Sequence, residues 1–116
     1  MHMVKREMPN APLLRGTLEL LLLQALSRGP LHGYAIGRRI EAATDDALSV
    51  EEGSMYPALY RLEELGLVSA RWSVNERGRR ARVYSLTAAG RARLAVGKKN
   101  WAAFVRAVGL MIGAGR

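Results

Sequence analysis

The chain has 116 residues, no cysteine and a net charge of +8. That length supports one modest core rather than two, and the missing cysteines exclude disulfide frameworks, thiolate chemistry and cysteine-ligated zinc while fitting a reducing cytoplasm. Residues 1–70 hold 7 Lys/Arg against 9 Asp/Glu, a net of −2, whereas residues 71–116 hold 11 against 1, a net of +10. Such an asymmetry expects a polyanion on one side of the molecule, either nucleic acid or an anionic membrane surface. A solvated basic tail is the bland alternative. The longest apolar run, LELLLLQAL at residues 18–26, contains Glu19 and Gln24 and covers about half a bilayer, so no membrane span is expected. Nor do residues 1–12 carry the apolar stretch of a signal peptide.

Residues 1–12, with Pro9 and Pro12, read as a flexible N-terminal arm. From residue 13 to 27 the pattern is helical but apolar nearly all round, with Leu20, Leu21, Leu22 and Leu23 in succession. One small core cannot cover every face of such a helix, so a partner subunit is expected to cover the rest. Gly29–Pro30 ends it. A second helix over residues 32–43 turns Tyr34 or Ala35, Ile36, Ile40 and Ala43 inward and Arg38, Arg39 and Glu41 outward. A third begins near Ser49, whose spacing to Glu52 fits a capping box, or at Ser54. Pro57 suits either start if it lies in the first turn. This helix buries Met55, Ala58, Leu59, Leu62 and Leu65 in one stripe and ends at Gly66.

Residues 67–74 alternate, with Val68, Ala70, Trp72 and Val74 on one side, as a half-buried strand does. Residues 81–86 form its antiparallel partner across the polar turn NERGRR. Thr87 caps a last helix from Ala88 toward Ile112, interrupted or weakened by Gly90, Gly97 and Gly109. The expected class is α+β, mostly helical. Two short helices, a third and then a hairpin make a winged helix-turn-helix, whose third helix enters the DNA major groove while the hairpin reaches the flanking backbone or minor groove.

That order gives the polar face of the third helix a use. Tyr56, Pro57, Tyr60, Arg61 and Glu64 lie opposite its core stripe, and the amides at its start, with the Ser54 hydroxyl, can hold a phosphate. Arg77, Arg79, Arg80 and Arg82 crowd the hairpin tip with only Glu76 against them, a repulsive arrangement unless phosphates neutralise it. Arg38 or Arg39 would meet the backbone. Tyr34 is assigned to the core.

Three blocks, GPLHGYAIGRRI, LSVEEGSMYPALYRLEELGLV and GRRARVYSLTAAGRARL, resemble the PadR family of bacterial transcriptional regulators in order and spacing, over residues 13 to about 105. The resemblance implies a homodimeric repressor on a palindromic operator in the bacterial cytoplasm, associated with the nucleoid. It implies three regions: the arm at 1–12, a DNA-binding domain at 13–86 and a dimerisation helix at 87–116. It further implies a core shared across the dimer between Leu20, Leu21, Leu22 and Leu23 and Trp101, Ala102, Phe104, Val105, Val108 and Ile112. Many members release DNA when a small, often aromatic, effector arrives, and Trp101 and Phe104 are the candidate ligand-lining residues. The C-terminal region is short and single-helical, as in the family's small subgroup.

An enzyme is not expected. His32 reads as a residue that caps the second helix or hydrogen-bonds locally, Glu51/Glu52 and Glu63/Glu64 are sequence neighbours that diverge by roughly 100° on a helix, and neither metal-ligand spacing nor a cofactor motif appears. A non-specific architectural DNA binder shares the basic patch but has no need of a shaped reading face. A membrane-surface module could use Lys98 and Lys99 beside Trp101, yet the other arginines sit on the hairpin. Double-stranded DNA and a second copy of the chain are the expected partners.

Overall fold

The computed structural model describes residues 12–74 and 76–113. Residues 1–11 of the expected arm, Asn75 of the turn and the last three residues lie outside them. Among the described residues the order is α1 (Pro12–Ala25), β1 (Leu31–His32), α2 (Gly33–Ala43), α3 (Glu52–Glu64), β2 (Val68–Val74), β3 (Arg80–Leu86) and α4 (Ala88–Ile112). The three strands form an antiparallel sheet in the order β1-β3-β2. This is the expected winged helix-turn-helix with a trailing helix. β1 is the element that periodicity missed: two residues after Pro30 are too few to alternate, and only their pairing with Val83 and Tyr84 makes them a strand.

The core forms where α1, α2 and α3 meet the base of the hairpin. Leu22, Leu26, Ile36, Met55, Leu59, Leu62 and Val68 are fully buried there, each such side chain stabilising the fold by about 1.5–3 kcal/mol. Leu22 and Leu23 are therefore spent inside the protomer, which corrects their assignment to a dimer core. Leu20 and Leu21 are only partly buried, packed against the cluster's edge. Leu65 is also corrected, since it is the C-cap of α3 and lies exposed. Tyr34 and Ala43 are exposed as well, because α2 buries only Gly33, Ile36, Gly37 and Ile40 against its neighbours.

Two junctions fix the wing and α4 to this core. Gly66, with φ of 76°, reverses the chain after α3, a conformation glycine adopts without a Cβ penalty. Thr87 then caps α4: its hydroxyl oxygen accepts from the Gly90 amide at 2.9 Å, and its hydroxyl donates to the Gly66 carbonyl at 2.7 Å. The Thr87 amide donates to the Leu67 carbonyl at 3.1 Å. One threonine thus ties the start of α4 to the end of α3. From there α4 packs along α1, and Gly113, with φ of 79°, ends it.

Candidate nucleic-acid interface

Helix α3 has two unlike faces. Met55, Ala58, Leu59 and Leu62 are buried, while Ser54, Tyr56, Pro57, Tyr60 and Glu64 are exposed on the other side. Tyr60 keeps 60% of its surface in solvent. The N-cap is Glu51, without a side-chain cap, so neither Ser49 nor Ser54 caps the helix. The Ser54 and Met55 amides both donate to the Glu51 carbonyl, at 3.0 and 2.9 Å, and Glu52 supplies a carboxylate to the first turn. That carboxylate already complements the dipole, so this helix start is a weaker phosphate site than the sequence suggests. Pro57 is the sixth helical residue rather than a first-turn one. Its missing N–H leaves the Gly53 carbonyl without that donor, and Gly53 is exposed, where water can serve it.

Tyr56 is only partly free. Its ring lies so close to Gly33 that a Cβ there would come within 2.7 Å of Cε1 and 2.8 Å of Oη. Burial, with the nearby Glu52 carboxylate and Tyr84 adding to it, raises the Tyr56 pKa above the ordinary value. Tyr84 is shifted the same way by burial, with Arg82 opposing and Glu63 adding to it.

The arginines differ in where they point and how far they are exposed. Arg61 turns toward α1, where its Nε and Nη2 both donate to Glu19 Oε2 at 3.2 Å. Arg61 is half-buried at the border of the exposed face, not out on that face with Tyr60. On the hairpin, Arg82 donates to Glu63 Oε2 of α3 at 2.9 Å and lies over the Tyr84 and Trp72 rings. Arg80 covers Trp72, its guanidinium carbon 4.8 Å from the ring centroid. Arg77 and Arg79 are exposed beside Gly78, which turns the hairpin with φ of 77°. On α2, Arg38 is exposed, and Arg39 reaches the Ala25 carbonyl at 3.5 Å.

Sequence reasoning missed three participants. Glu19 interrupts an apolar run, which was a signal that it serves a partner, but the partner lies 42 positions away. Glu63, one of a diverging pair on the helix, gives no sign in the sequence that Arg82 will reach it. Trp72 and Val74 share a strand face with the buried Val68, yet both are exposed because the hairpin runs past the end of the core. His32 is also corrected: it occupies the N-cap of α2 but makes no side-chain cap, and its Nε2 is buried without a partner.

On α4, Trp101, Phe104, Val105, Val108 and Ile112 are exposed, at the spacing of one helical stripe. Trp101 and Phe104 have ring centroids 5.9 Å apart. With Gly16, Thr17 and Leu20 of α1 they border an open groove of about 280 Å³. Among the described residues no group of three or more His, Asp or Glu could hold a metal ion, and no helix is long and apolar enough to cross a membrane.

The same combination of elements occurs in known proteins. A regulator of the PadR family from Eggerthella lenta is 30% identical and superposes with a TM-score of 0.72, covering 86% of this chain and 85% of that one. A PadR family transcription regulator from Clostridium difficile is 27% identical with a TM-score of 0.67, covering 82% and 96%. A 37.1 kDa protein in a transposon of Streptomyces fradiae is 47% identical over 73 residues, 63% of this chain but only 19% of that protein. Residues 22–96 match the transcriptional regulator PadR-like family, spanning α2, α3, the wing and the first turns of α4. The chain belongs to that family, and is a DNA-binding transcriptional regulator of the winged-helix type.

Proposed function

We propose that the protein is a repressor that binds a palindromic operator as a homodimer. The observation that carries this reading is the exposed face of α3, where Tyr60, Tyr56, Pro57 and Ser54 stand opposite a fully buried stripe. A non-specific binder has no use for such a face, because phosphate contacts alone need charge rather than shape. Tyr60 and Tyr56 read base edges or sugars, and Arg77, Arg79, Arg80 and Arg38 meet the backbone. The stripe from Trp101 to Ile112, with Leu20 beside its start, supports a dimer, since a monomer gains nothing by showing so many apolar side chains to water. The open groove at Trp101 and Phe104 is apolar in lining and is the place on this protomer where a small aromatic effector would dock once a partner subunit covers it.

The test is binding to the DNA upstream of the protein's own reading frame against a shuffled duplex, at several salt concentrations. A preference of about 10³-fold or more that survives rising salt supports the reading. Tyr60→Ala should reduce that preference by about 1–3 kcal/mol. Equal binding to both duplexes that collapses with salt would sink it in favour of an architectural DNA binder.

A further inference from the structure

The wing carries a large uncharged surface that backbone neutralisation does not use. Trp72 is 58% exposed and Val74, two residues on, is 63% exposed. Side chains at i and i+2 of a strand share a face, so the two make one apolar patch among arginines. Across the ladder Trp72 stands opposite Arg82, and Val74 opposite Arg80. The patch continues the face on which Val68 and Tyr84 are buried, and from that face Arg82 reaches Glu63 of α3. It therefore looks toward the reading helix rather than away from it.

We propose that Trp72 is a DNA-contacting residue, its indole packing on deoxyribose or base edges in the groove beside α3. The inference rests on the DNA-binding reading and adds to it a contact that is neither ionic nor on α3. Three features support it. The indole is held in place: Arg80 lies over it at 4.8 Å and Arg82 at 5.9 Å, with Arg82 itself anchored to α3 through Glu63 at 2.9 Å. Cation–π contacts of this kind fix a ring without covering it entirely. The surroundings select a polyanion, since Arg71, Arg77, Arg79 and Arg80 are all exposed on the same hairpin, against Glu76 alone. A duplex groove offers what such a patch needs, apolar sugar edges flanked by phosphates.

The chain has two tryptophans, so the ¹⁵N-labelled protein gives two indole N–H resonances, and Trp72→Phe assigns them. Titration with the upstream duplex should shift the Trp72 resonance and slow its exchange with solvent. In parallel, Trp72→Leu should weaken binding to both upstream and shuffled duplexes by roughly tenfold with an unchanged salt slope, and Trp72→Phe should recover most of the loss. Because the ring is exposed and held only by the two guanidinium contacts, neither variant should lower the thermal midpoint by more than a few degrees. A Trp72 resonance indifferent to bound DNA overturns the inference. So does a loss of affinity accompanied by a fall of about one in the salt slope, which would make Trp72 only the platform for Arg80. If the unaltered protein binds neither duplex, the DNA-binding reading fails first and this contact with it.

Discussion

Replacing Gly90 with alanine tests the junction that fixes α4 to the winged domain. In a helix, Gly→Ala ordinarily stabilises by up to about 1 kcal/mol. Here the added Cβ would collide with the Leu67 carbonyl oxygen, and would also lie 3.0 Å from the Leu67 carbonyl carbon and 3.1 Å from Leu86 Cδ2. No rotamer change relieves a clash with backbone, so α4 must move off the turn. That movement strains the hydrogen bonds from the Thr87 amide to Leu67 and from the Thr87 hydroxyl to Gly66, each contributing about 1 kcal/mol. Overpacking adds about 1–3 kcal/mol. After subtracting the propensity gain, the expected net loss is about 3 kcal/mol, a fall in midpoint on the order of 10 °C for a domain of this size. Thermal unfolding followed by circular dichroism measures it, with Gly53→Ala as control, because nothing lies within 4 Å of a Cβ at Gly53. A Gly90→Ala protein as stable as the parent would refute the packing argument.

The other predictions concern α3 and its attachments. Glu19→Gln and Arg61→Gln, taken through a double-mutant cycle in urea, should show a coupling of about 1–2 kcal/mol, more than exposed pairs give because both partners are about two-thirds covered. A coupling near zero would return Arg61 to the set of arginines presented to DNA. Gly33→Ala should displace the Tyr56 ring and lower affinity for the operator while costing less than about 1.5 kcal/mol in stability; unchanged affinity would remove Tyr56 from the reading face. Folding raises the pKa values of Tyr56 and Tyr84 above 10.0, so the native state holds those protons more tightly than the unfolded chain. Their contribution is complete below pH 10 and declines as pH rises through the folded values. Tyr84→Phe should flatten the alkaline fall in a pH series of midpoints, and an identical fall in both proteins would count against the assignment.

Regular elements were legible in the sequence because their signals are local. α4 begins and ends where Thr87 and Ile112 put it, and the single stripe on α3 predicted Met55, Ala58, Leu59 and Leu62 as its buried residues. What failed depended on distance along the chain. A hydrophobic run shows that Leu22 and Leu23 will be buried, but not against what, and here the covering elements belong to the same protomer. Alternation in β2 locates a strand face without showing where the core beneath it stops, so it does not separate the buried Val68 from the exposed Trp72 and Val74. The start of α3 was misplaced for a related reason. Side-chain capping patterns pointed to Ser49 or Ser54, whereas the helix begins after Glu51 with its first amide bonds made to a backbone carbonyl.

The charge pattern needs the same correction, and it changes what the positive charge can do. Of the 11 basic residues in 71–116, five lie on the hairpin and five on α4, with Arg116 beyond the described residues. The surplus is thus shared between two elements rather than gathered on the DNA side. On the hairpin, Arg82 is already neutralised by Glu63, as Arg61 is by Glu19 on the other flank of α3. These two pairs add nothing to long-range attraction, since each is a short dipole rather than a net charge. They instead hold α3 from both sides, one through α1 and one through the wing. A reading helix must present its side chains at a fixed angle to the groove, and a helix tied at only one flank can roll about its axis. With the Met55–Leu62 stripe setting its depth and the two ion pairs opposing its roll, the proposed contacts Tyr60 and Tyr56 are positioned in the free protein. Such preorganisation lowers the ordering penalty of binding, and it gives the half-buried Arg61 and Arg82 a use in positioning α3.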